Sequence, residues 1–202
     1  MTGQPIYVEI AIAAPMERVW ALSQDFTAHT RWDLRFSSIE ATEPRADGKQ
    51  RFVYQRSVGP HTIRGTGISA GEAGDAASGR VSALRFTTAD RLSPIRQGSG
   101  YWRYIPTPDG VIFATGYTYE PGWGSLVDRL VMRRVIGWMT AWSFDRLRIW
   151  AESGTEPERW SLLSVLHFWR HNRPQARRTI RIRPRGALRG TDPALLATLE
   201  TP

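Results

Sequence analysis

Apolar residues recur at helical spacing along only one long stretch of the chain, Ser125 to Glu152. Val127, Leu130, Val131, Val135, Trp138, Ala141, Trp142 and Ile149 fall on one broad face of that helix. Met132, Ile136, Met139 and Trp150 form a second apolar strip on its far side, which a following segment or a partner chain should cover. Ser125 with Asp128 predicts an N-cap and capping box. Ser153-Gly154 followed by Pro157 predicts the stop. A helix of this span is about 40 Å long at ~1.5 Å per residue.

The period changes ahead of this helix. Tyr7 to Ala14 alternates, with Val8, Ile10, Ile12 and Ala14 on one side, which predicts a strand with one buried face. Pro15 opens a short helix over 16–24, and Phe26 to Trp32 reads as a second short helix or irregular turn. Strand-like pieces follow at 36–42, 50–58, 62–70, 80–87, 98–105 and 111–120. Asp47-Gly48, Gly59-Pro60, the 71–79 loop, Ser93-Pro94 and Pro108-Asp109-Gly110 separate them. Connections this short favour antiparallel hairpins over crossovers. Strands grouped ahead of one long helix predict an α+β fold, an antiparallel sheet covered on one face.

The opening stretch, VEIAIAAPMERVWALSQDFTAHTRW, resembles the START-like, or SRPBCC, superfamily. That group includes polyketide cyclase/dehydrase-like, birch-pollen-allergen-like and lipid-transfer proteins. The alternating strand ending in Ala14-Pro15, the Glu17-Arg18-Val19-Trp20 helix, Asp25 and Trp32 carry the resemblance. It covers residues 5–153 and implies a helix-grip fold. In that fold a curved seven-stranded antiparallel sheet, with two short helices after its first strand, grips the long helix around an apolar cavity. Residues 154–202 lie outside it as a basic, arginine-rich extension.

Composition narrows the chemistry. The 202 residues hold 41% hydrophobic and 11% aromatic positions, enough for one domain with a full core. No cysteine is present, which removes disulfides, thiolate metal sites and a cysteine nucleophile. The first residues lack the basic start of a signal peptide, and no apolar run approaches a membrane span, so a cytoplasmic protein is expected. Net charge is +8, of which +5 falls in residues 156–202. Trp160, Leu162, Leu163, Phe168 and Trp169 ahead of the arginines have the composition of an anchor on an anionic membrane. The competing reading packs 157–171 back on the body as an amphipathic helix with Leu162, Val165, Leu166 and Trp169 on one face. Nucleic acid is a poor fit, since no aromatic side chains interleave the tail arginines. The closing DPALLATLE is weakly helical.

Candidate site residues come from alternate strand positions and from polar breaks in the long helix. Tyr54 and Arg56, Tyr101 and Arg103, and Tyr117 and Tyr119 would line the cavity or sit on the outer face, and sequence does not choose between the two. Trp20, Trp32 and Trp123 flank the expected mouth, while Trp138 and Trp142 lie on the helix face taken as inward. Arg134 and Asp145 interrupt that face. Arg134 either holds a ligand head or snorkels to water. Asp145 is either a polar anchor or the partner of Arg148. Gly65 and Gly67 predict a bulge or sharp bend. His167 and His171 have ligand spacing without a nearby acid, so neither a metal nor a cofactor is expected. Ser99 in GSG is not a nucleophile elbow. The resulting expectation is a carrier or sensor of a hydrophobic small molecule such as a lipid, polyketide or isoprenoid. A polyketide cyclase/aromatase/dehydrase is the alternative, and an adaptor acting through its tail the third reading.

Overall fold

A computed structural model describes residues 5–44, 48–70, 79–167, 169–182 and 194–202. Asp47, most of the 71–79 loop, Phe168 and the arginine run after Ile182 lie outside the described residues, as do Asp192 and Pro193 of the closing segment. Strand β1 (Ile6–Ile12) is followed by α1 (Met16–Gln24) and α2 (Phe26–Trp32). Then come β2 (Ser38–Pro44), β3 (Lys49–Val58), β4 (His61–Ala70), β5 (Arg80–Thr87), β6 (Ile95–Thr107) and β7 (Gly110–Pro121). All seven strands form one antiparallel sheet in the order β1-β7-β6-β5-β4-β3-β2. Helices α1 and α2 thus link the two edge strands. Asp25 caps α2, accepting the Ala28 N–H at 2.7 Å. This is the helix-grip architecture expected above.

The long helix has three parts: α3 (Ser125–Val127), a π-helical turn (Asp128–Met132) and α4 (Arg133–Ser153). Gly154 ends it with a left-handed φ of 73° and its N–H on the Trp150 carbonyl. The expected capping box is absent. Gly124 occupies the N-cap position, and Asp128 is buried, accepting from the Tyr119 hydroxyl. That bond also turns the helix. With Tyr117 Oη 3.0 Å from Thr140 Oγ1, and Ser143 Oγ accepting the Leu34 N–H, it presents the Asp128–Thr140–Ser143 side to the sheet.

The inward face is therefore not the one the apolar pattern suggested. Met132, Ile136 and Met139 line the interior, whereas Val127, Leu130, Val131 and Val135 are exposed. Both faces are apolar, so hydrophobicity alone does not select one; the buried polar pairs do.

The C-terminal extension packs on the body, but not as the helix expected over 157–171. It forms short 3₁₀ turns at Pro157–Arg159 and Leu162–Leu166, and Leu162, Leu163, Leu166 and Trp169 stay exposed. Trp160 is buried, and Arg146 donates to the carbonyls of Trp32 and Pro157. Farther on, Ile180 and Glu9 exchange two backbone hydrogen bonds of 2.9 Å. Because this segment covers β1, Tyr7 and Glu9 are buried too, and the strand has two covered faces rather than one. Leu199 packs on Ile68, Ala70 and Ala83 across the outer side of the sheet.

Gly65 and Gly67 produce no bulge; the β3–β4 register runs unbroken. A Cβ on Gly65 would stand 2.3 Å from the Tyr54 ring, and one on Gly67 2.1 Å from the Phe52 ring. The two glycines let those rings lie flat across β4.

Candidate functional site: an apolar cavity with a cationic corner

Between the sheet and the long helix lies a cavity of about 630 Å³. Phe52, Tyr54, Phe86, Trp102, Ile136 and Met139 give it an apolar and aromatic wall. Its mouth is rimmed by Val58, Leu92, Trp123 and Val135, all more than a third exposed. Trp123 is held there by its Nε1–H on the Leu92 carbonyl, 3.2 Å away.

One corner is polar. Asp33, at the end of α2, has no solvent exposure. Arg35 grips it bidentately, Nη2 to Oδ2 at 2.6 Å and Nε to Oδ1 at 2.9 Å. His29, one helical turn earlier, reaches the same carboxylate with Nε2 at 3.0 Å. The His29 ring stacks on Trp32 at 4.8 Å and meets the edge of Trp102 at the same distance. Burial would raise the Asp33 pKa, but the Arg35 charge and the bonds from His29 and Arg35 outweigh it and hold the carboxyl well below the usual range. For His29 burial dominates and pushes the imidazole below its ordinary value despite Asp33. An ionised carboxylate only accepts, so the neutral ring places its proton on Nε2 toward Asp33. Burial also pushes the Tyr54 hydroxyl up to about 12.

The structure separates the sequence candidates. Tyr54, Arg56, Tyr117 and Trp123 stand in the cavity wall. Position 101 borders it, but Trp102 and Tyr104 are the inward residues of β6. The Tyr101 ring therefore shares the outer face with Arg103, whose guanidinium lies 5.5 Å from it. Arg103 is not in the wall. Tyr119 points inward yet spends its hydroxyl on Asp128. Trp32 is fully buried core beneath His29, its Nε1–H on the Leu22 carbonyl.

Trp138 and Trp142 turn toward the C-terminal segment and line a second, smaller depression with Val165 and Ala176. Arg134 is exposed and bonds its own helix at the Leu130 carbonyl. Asp145 does pair with Arg148, at 2.6 Å, but it is fully buried and also receives the Gln175 N–H and Arg178. It fastens the extension, away from the cavity.

Sequence reasoning missed His29, Arg35 and the Met132–Ile136–Met139 strip as wall residues. The i, i+4 spacing of His29 and Asp33 was the available signal for the first.

A rolled antiparallel sheet gripping one long helix over an apolar cavity defines the helix-grip class. The family described as "Polyketide cyclase / dehydrase and lipid transport" matches residues 4–151, and the chain belongs to it. A relative, "Uncharacterized membrane protein YndG" of Bacillus subtilis (strain 168), is 40% identical over 174 residues. The match covers 84% of this chain and spans 65% of that relative's length. Among solved structures, the Zhui aromatase/cyclase from Streptomyces sp. R1128 aligns with a TM-score of 0.53 at 15% identity, over 75% of this chain and 98% of that one. Ara h 8.0201 aligns with a TM-score of 0.51 at 11% identity, over 73% of this chain and 96% of that one. These likenesses show the fold. No helix among the described residues is long and apolar enough to cross a membrane.

Proposed function

We propose that the chain binds a hydrophobic small molecule, a lipid, polyketide or isoprenoid-like compound, in the cavity between sheet and helix, as a carrier or sensor. The observation that carries this reading is the cavity itself, about 630 Å³ with a wall made mainly of aromatic and aliphatic side chains. Affinity there comes chiefly from apolar burial, at ~25 cal/mol per Å² before the costs of ordering the ligand. The test is saturable binding of a neutral fluorescent probe such as Nile red. One site per chain is expected, and Met139→Trp, which fills the wall, should weaken it several-fold without lowering the unfolding temperature. Absence of saturable binding to the folded protein would refute the reading. Solvent extraction of protein purified from its native host, followed by mass spectrometry, names the ligand class.

A cyclase- or dehydrase-type reaction is the second reading, and His29 favours it. Its imidazole is neutral, fixed by Asp33, and borders the cavity, which suits a proton acceptor. Turnover of a polyketone by the wild type and not by His29→Gln selects this reading.

The proposal places the protein in the cytoplasm, in peripheral contact with an anionic membrane surface. Exposed Leu126, Val127, Leu130 and Val131 lie beside the cavity mouth, with exposed Arg129 and Arg134 among them. The only acid on that turn, Asp128, is buried against Tyr119. Apolar contact with positive charge suits anionic headgroups, and the Bacillus relative bears the name of a membrane protein. In this reading the helix at the mouth, rather than the arginine-rich tail, makes the contact.

A further inference from the structure

The charged groups around the cavity are unevenly balanced. Two guanidinium groups, Arg35 and Arg56, and two imidazoles, His29 and His61, stand in its wall, and none of the lining residues is Asp or Glu. Three of the four have partners behind the wall. Asp33 holds Arg35 and His29, and Asp90 holds His61 at 2.8 Å. The Arg56 side chain makes no hydrogen bond or ion pair with the described residues, although it projects from the same face of β3 as Phe52 and Tyr54.

Backbone and side-chain contacts between the 36–37 segment and β3 assemble the corner. The Ser37 N–H donates to the Gln55 carbonyl at 2.7 Å, and the Ser57 N–H to Ser37 Oγ at 3.0 Å. Phe36 meets the Tyr54 ring at 5.8 Å. These contacts lay the segment carrying Arg35 along β3 beside Arg56, and the charge of Asp33 acts on both guanidinium groups. Asp33 carries one negative charge against two positive ones, so the corner is left with about one net positive charge. A half-buried guanidinium in an apolar wall carries a desolvation cost that the charge of Asp33 offsets only in part, and burial still lowers the Arg56 pKa. A bound oxyanion offsets it through two parallel N–H···O bonds.

We infer that the ligand of this cavity is an anionic amphiphile whose carboxylate or phosphate head is held by Arg56 in the Arg35–Asp33 corner, with its apolar tail along the aromatic wall. This rests on the cavity-binding reading above and goes further by naming the head group. Arg56 is the specificity-determining residue; Arg35, already committed to Asp33, keeps the corner positive and orients it.

The test compares laurate, dodecyl phosphate and dodecanol as displacers of Nile red, near neutral pH and low salt. In the wild type at least one anion should displace the probe about tenfold more tightly than the alcohol, which is roughly 1.4 kcal/mol. Whichever anion is tighter identifies the head. Arg56→Gln should bring the anion-to-alcohol ratio down toward one and Arg56→Lys should restore part of it. Arg64→Gln, on the outer face of β4, should leave the ratio as in the wild type. Equal affinity for anions and alcohol in the wild type overturns the inference, as does a ratio untouched by Arg56→Gln. Both of those outcomes leave the cavity reading standing, because the alcohol still binds. If Nile red binds but none of the three displaces it, the anionic-amphiphile inference is rejected. If the probe itself does not bind, the cavity reading falls first.

Discussion

Asp33 is a carboxylate with no access to water, kept ionised by Arg35 and by a neutral histidine. The pair His29–Asp33 makes stability depend on pH in a defined direction. The native His29 pKa lies below the ordinary 6.5, because burial disfavours the imidazolium. On acidification the unfolded chain therefore takes up a proton before the native one does. The stabilisation is complete above 6.5 and is lost as pH falls from there toward the lower native value. The loss is at most about 1.4 kcal/mol per pH unit for one proton. Asp33 adds a second loss further down: its native pKa is depressed, so its contribution is present above the unfolded 3.8 and disappears as pH falls toward the native value. Urea unfolding across this range should show stability declining just below 6.5 in the wild type. The His29→Gln variant should be flatter in that window; an identical slope would mean that another group titrates there.

At the scale of elements, Arg146 holds the start of the C-terminal segment to α4 through the Pro157 carbonyl, and one buried carboxylate fastens its later part. Asp145 receives Arg148, the Gln175 N–H and Arg178, and Arg178 in turn holds the His171 carbonyl. Asp145→Asn keeps the shape but removes the charge that two arginines share. Breaking a buried ion pair by removing one partner costs about 3–5 kcal/mol. The variant should unfold at lower urea and be cleaved faster by trypsin within residues 169–182. An unchanged cleavage pattern would show that Trp160 and the Ile180–Glu9 pairing hold the segment without Asp145. The i, i+3 spacing offered Arg148 as one of two readings of Asp145, beside a polar anchor in the cavity, and it is Arg148 that the carboxylate meets. Gln175 and Arg178 were out of reach, since contacts thirty residues apart leave no local period.

For the whole molecule, the outer side of the first turns of the long helix is an apolar surface that folding leaves uncovered. Leu126 is 59% and Val131 52% exposed, next to a mouth whose rim is itself apolar. Sedimentation with vesicles tests what meets it. The protein should sediment with phosphatidylglycerol vesicles more than with phosphatidylcholine ones, and less in high salt. Replacing Leu130 and Val131 together by Glu should abolish the difference while leaving Nile red binding in place. If that double variant still sediments like the wild type, the contact lies elsewhere, and the arginine run after Ile182 is the next segment to delete.

Local periodicity determined most of the architecture: seven strands, two short helices and one long helix stand near the positions that alternation and helical spacing marked. The opening strand and helix also led to the right superfamily. These features depend on near neighbours in the chain, where side-chain period and turn chemistry act directly. Only tertiary structure decided which way each element faces. The long helix carries two apolar faces, and Tyr117 and Tyr119, bonding Thr140 and Asp128, chose between them. The same choice put Trp138 and Trp142 under the extension and Met132 and Met139 in the cavity. Tyr54 and Arg56 came to line that cavity, and Arg103 to lie outside it, through sheet register, which one residue of slip would invert. A strand's alternation states that its faces differ; what covers each face is settled by the rest of the chain.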